Sequence, residues 1–74
     1  MQLSEILKTT RMKAFMTQEE FASRMGVTTS TINRWEHGIV NPNMTAMKKI
    51  RKFCEEEQIS FDEIESAWLA EKEK

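Results

Sequence analysis

Between Thr17 and Gly38 the chain reads TQEEFASRMGVTTSTINRWEHG, which is two short amphipathic helices around a single turn glycine. Thr17 and Glu20 form a reciprocal capping box: the hydroxyl accepts from the backbone of the third helical residue, and the carboxylate accepts from the backbone of the cap. Phe21, Ala22 and Met25 then fall on one face at helical spacing, with Glu19, Ser23 and Arg24 outside it. Gly26 stops this helix, because a left-handed or open backbone is cheapest without a Cβ. Thr28 caps the next one, in which Ile32 and Trp35 share one side while Thr29, Ser30, Asn33 and Arg34 take the other. Both helices must bury an apolar stripe against other elements of the chain.

The flanking sequence supplies those elements. Leu3, Ile6 and Leu7 recur at helical spacing, and nothing breaks the run, so a first helix is predicted from Gln2 to about Ala14. Ile39 to Asn43 reads as a loop, with Pro42 restricting Asn41 to an extended conformation and Asn43 capping a fourth helix. Met44, Met47, Ile50 and Cys54 line one side of that helix and Lys48, Lys49 and Lys52 the other, to an end at Glu55 or Glu57. No glycine follows, so Gln58 is left to make the turn. Ser60 and Glu63 suggest a second capping box, which opens a fifth helix carrying Phe61, Ile64 and Trp68. Two glycines and one proline leave little room for tightly connected strands, so the prediction is an all-α, compact five-helix fold. Its 74 residues allow one domain over 1–70, with the paired helices at 17–37 and a charged tail at 71–74. At this size roughly 60% of the unfolded chain's surface is removed on folding, so the core is modest.

Two helices joined by a short turn containing glycine, with a hydrogen-bonding outer face on the second, form the helix-turn-helix arrangement that places a helix in a DNA groove. The segment also resembles the phage lambda repressor/Cro-like (XRE-type) family. It carries the family's Q-x-x-[apolar]-A-x-x-x-G core from Gln18 to Gly26, a polar start to the recognition helix, and the W-E-x-G ending at Trp35 to Gly38. The resemblance continues upstream to Arg11 and downstream through Asn41-Pro42-Asn43, so it covers most of the chain. It implies a lambda repressor-like DNA-binding domain with the helix-turn-helix formed by helices 2 and 3. It also implies that Arg11 pairs with Glu36, and that Gln18 makes a phosphate contact. Phe15 departs from the pattern, because glycine is frequent at its position. A Phe cannot cheaply take a positive φ, so the first turn is expected to be built differently.

The first turns of a recognition helix enter a groove deepest, which makes Thr29, Ser30, Asn33 and Arg34 the candidate base readers. A guanidinium can donate twice to guanine, and the Asn33 amide can pair with adenine; the hydroxyls are less selective. Gln18 lies in the first turn of helix two, where free N–H groups and the positive end of the helix dipole favour an anion. Thr28, His37 and Asn41 are the candidate phosphate contacts on the other side of the recognition helix.

The formal net charge of −1 is an objection to DNA binding, since much duplex affinity comes from phosphate neutralisation. The distribution softens it. There are five Lys/Arg against four acids up to Gly38, four against three from Ile39 to Gln58, and two against five from Ile59 onward. A monomer should therefore bind weakly at physiological salt, and a homodimer on a two-fold symmetric operator is expected. The alternative is a protein-protein interaction module that keeps the fold without binding DNA. Against it, the outer face of helix 3 has no apolar anchor of the kind a protein hot spot needs. No nucleophile has a neighbouring base and no Gly-rich phosphate loop is present, so no enzyme and no cofactor are expected. One histidine and one cysteine are too few for a zinc site, so no metal is expected. A lone, reduced Cys54 and the lack of a signal or membrane-spanning run suit a cytoplasmic protein with no membrane partner.

Overall fold

The computed structural model describes residues 2–72 and contains, among them, five helices and no strand. These are α1 (Leu3–Lys13), α2 (Gln18–Met25), α3 (Thr29–Glu36), α4 (Met44–Glu57) and α5 (Asp62–Lys72). α5 takes in Glu71 and Lys72 of the expected tail, and Glu73 and Lys74 lie outside the described residues. α3 packs against α1 and α2, α5 against α1, and α4 against α2, within a body of 31 × 25 × 21 Å. None of the described helices is long and apolar enough to cross a membrane.

The core is one cluster to which every helix contributes: Leu3, Ile6 and Leu7 from α1, Phe21, Ala22 and Met25 from α2, Ile32 and Trp35 from α3, Ile50 and Phe53 from α4, and Ile64 and Trp68 from α5. The Phe21 and Phe53 rings meet edge to face at 5.1 Å, and the Arg24 guanidinium covers Phe53 at 5.0 Å. Arg24 also pairs with Glu56 and Glu57, and its hydrogen bond holds the Glu56 carboxyl below the usual range. Trp68 donates its indole N–H to the Pro42 carbonyl at 2.6 Å, fastening α5 to the loop before α4. Burial pushes the Cys54 thiol up, so it stays neutral and packs as a small hydrophobe.

Two details of the helix faces depart from the periodicity. Met44, expected on the buried side of α4, is 61% exposed, whereas Phe53 is buried. The buried arc of α4 is wide enough for Phe53 and Cys54 together, while Met44 sits in the first turn, ahead of Lys49, Phe53, Glu56 and Glu57, which meet α2. The second capping box does not form either. α5 begins at Asp62, the Phe61 carbonyl accepts from the Glu65 N–H, and the Ser60 hydroxyl accepts from the Asp62 N–H in a local turn.

Helices α1 to α4 all end in the same way. The N–H of a left-handed residue bonds back to the third residue before it, and the next N–H bonds to the fifth before it, which satisfies two orphan carbonyls. Phe15, Gly26, Gly38 and Gln58 occupy the left-handed position, at φ 56°, 69°, 71° and 56°. Each is followed by an apolar residue, and of these Met16, Val27 and Ile59 pack against the core. The expectation that the first turn would avoid a positive φ at Phe15 is therefore overturned. The two backbone bonds and the burial of Met16 hold the motif in place although the Phe15 ring is 94% exposed and gains nothing from packing. A left-handed L-residue costs about 1–2 kcal/mol. Phe15→Gly is accordingly expected to stabilise the fold by about 1 kcal/mol once the greater flexibility of the unfolded chain is counted. A higher urea midpoint at unchanged slope is the outcome to look for.

Candidate nucleic-acid interface

α3 is a short helix held from behind. The Thr28 hydroxyl accepts from the Thr31 N–H at 3.2 Å and sets where the helix starts. Ile32 is fully buried and Trp35 is 4% exposed, so the inner side of α3 is locked to the core. On the outer side Thr29, Ser30, Asn33 and Arg34 are all exposed. The structure brings these four residues together on one ridge of one helix.

The only acid in α3 does not reach that ridge. The Glu36 side chain is 2% exposed, and the Arg11 side chain that faces it is 11% exposed. Arg11 donates from Nε to Glu36 Oε2 at 2.7 Å and from Nη2 to Oε1 at 3.1 Å, a two-pronged contact. It also donates from Nη1 to the Met16 carbonyl at 2.6 Å. Gln18 donates from Nε2 to Glu36 Oε1 at 3.1 Å. One carboxylate thus joins the end of α1, the start of α2 and the end of α3. The contact fixes the angle at which α3 stands away from α2 and cancels the charge of Glu36, so that Arg34 is the only charge on the exposed side of α3.

Gln18 is half-buried in the first turn of α2. Its amide nitrogen has a second N–H beyond the one given to Glu36. The capping box engages the Thr17 and Glu20 backbones, at 2.9 and 3.1 Å, and leaves the N–H groups of Gln18 and Glu19 without intrahelical partners. Those two donors and the amide form a small anion-favouring corner.

The other candidates are constrained by bonds they already make. The Thr28 and Thr31 hydroxyls share one proton at 2.9 Å, so of their two protons one remains for an outside acceptor. His37 Nδ1 lies 2.8 Å from the Asn33 carbonyl, which makes Nδ1 the donor. Nε2 can then donate to a phosphate only in the doubly protonated ring. Asn41 is exposed in the loop between α3 and α4. The Gln18–Glu36 bond is the feature that sequence reasoning missed. Its partners stand 18 residues apart, and no local spacing signals such a contact.

Among the described residues, no group of three or more His, Cys, Asp or Glu side chains is placed to hold a metal ion. Comparison with protein families gives one relevant finding: a helix-turn-helix family model matches residues 7–57. The matched span runs from within α1 to the end of α4 and includes the whole ridge and its supporting ion pair. No curated protein and no solved structure matches the chain.

Proposed function

Because the chain belongs to the lambda repressor/Cro-like family of DNA-binding helix-turn-helix domains, we propose that it is a sequence-specific regulator of transcription that inserts α3 in the major groove. The observation that carries this reading is the exposed row Thr29, Ser30, Asn33 and Arg34, backed by buried Ile32 and Trp35 and cleared of its own acid by Arg11. In this reading Arg34 donates to guanine, Asn33 pairs with adenine, and Thr29 and Ser30 make less selective contacts. Gln18 and the α2 N-terminus, with Thr28, His37 and Asn41 on the far side, hold the phosphates and set the register. Two copies bind a symmetric operator, because a single copy, with a formal net charge of −1 and its positive balance confined to residues 1–58, gives a weak electrostatic footprint. Where that operator overlaps a promoter the protein acts as a repressor, working in the cytoplasm. The domain, expected over residues 1–70, then reaches the end of α5 at Lys72.

The test separates reading from positioning. Arg34→Ala is expected to relax preference at one base pair by about 1–3 kcal/mol, with little change in fold stability. Gln18→Ala is expected to weaken binding about equally on all duplexes. It should also lower stability by about 1 kcal/mol, through loss of the hydrogen bond to Glu36. Equal losses on every sequence from both variants would contradict the division of roles.

A further inference from the structure

α4 and α5 leave an open groove of about 180 Å³ lined by Met44, Met47, Phe61, Trp68 and Leu69. Met44 and Leu69 are 61% and 49% exposed, so the apolar lining continues onto the surface. The same groove is edged by Lys48 and Arg51 on α4 and by Glu65 on α5. Among the described residues, no ion pair joins these opposite charges within one copy.

We propose that this groove is the face through which a second copy of the chain docks, an inference that rests on the dimeric reading above and gives it a location. The argument is charge complementarity. A two-fold contact is self-complementary: if α4 of one copy meets α5 of the other, the reverse contact follows by symmetry. Arg51 and Lys48 of each copy then face Glu65 of the other, while Leu69 and Met44 close over the apolar floor. Charges left unpaired within one copy are paired twice across the axis. A standard interface buries about 800 Å² on each partner, against a total of 4984 Å² for this chain, so a contact of the two helices alone makes a weak dimer that DNA reinforces.

The experiment is sedimentation equilibrium of the full chain with Arg51→Glu and Glu65→Lys, each alone and then mixed, with and without duplex. Both substituted positions are exposed, and thermal melts establish that each variant folds. Arg51→Glu alone places acid against acid across the axis, and Glu65→Lys alone places base against base. Each is expected to dissociate at least about 10-fold more readily than wild type. Mixing them restores opposite charges in both contacts, and the mixture is expected to dimerise as wild type does. If wild type dimerises and both variants dimerise equally well alone, or if the mixture stays monomeric, the groove is not the interface and the dimeric reading survives elsewhere. If wild type is monomeric at high concentration even on duplex, the dimeric reading and this inference fall together.

Discussion

Replacing Arg11 by methionine is expected to destabilise the protein by about 3–5 kcal/mol, because it leaves the Glu36 carboxylate buried with only the Gln18 amide as partner. The methionine keeps most of the aliphatic bulk of the arginine, so the loss reports on charge and not on a void. A domain of 74 residues has about 4–11 kcal/mol in total, so this one change removes a large part of it. Adding Glu36→Gln to Arg11→Met should recover most of the loss, since a neutral amide can be buried against Gln18 at far lower cost. Urea denaturation of the two single variants and the double variant gives the coupling directly. An Arg11→Met protein within about 0.5 kcal/mol of wild type, the scale of a surface substitution, would mean that the pair contributes no more than an exposed one.

The second large effect is expected one residue from Arg34. Trp35→Ala removes a side chain that is 4% exposed and holds α3 to the core, and truncations of this kind cost about 3–5 kcal/mol. Arg34→Ala, its neighbour, removes an exposed side chain and should change stability by no more than about 0.5 kcal/mol. Trp35→Ala should therefore lose binding in step with its folded fraction, on every duplex alike, whereas Arg34→Ala should stay folded and lose discrimination. Calorimetry and duplex titration on the same two samples separate the cases. A stable Trp35→Ala protein would show that α3 is held by something other than its inner face.

What could be read from the sequence was mostly local. The caps at Thr17, Thr28 and Asn43 depend on a side chain and a backbone group three residues apart, and all three form. The stripe of Ile32 and Trp35 against the polar ridge follows from helix geometry alone, which is why the candidate readers were legible. The helix ends at Phe15 and Gln58 were harder. A left-handed residue is identified in a sequence by glycine, and here the hydrogen-bonded ending and the burial of the following apolar residue impose the conformation on side chains that do not prefer it. Ser60 and Glu63 had the spacing of a capping box, but α5 starts two residues after Ser60, so Glu63 is not where a box requires it. Contacts between distant segments were the least legible. The Arg11–Glu36 contact was indicated by family resemblance, whereas the Gln18 bond to the same carboxylate, the Phe53 packing on Phe21 and the Trp68 bond to Pro42 depend on the assembled fold.

The central claim is that the ridge of Thr29, Ser30, Asn33 and Arg34 reads base edges in duplex DNA. Selection of bound duplexes from a random pool by the wild-type protein, at low and at physiological salt, tests it most directly. The expected result is an enriched two-fold symmetric sequence whose half-sites are centred about one helical turn apart, with weaker but still selective binding at the higher salt. A bound pool with the base composition of the starting pool, at both salts, would contradict it.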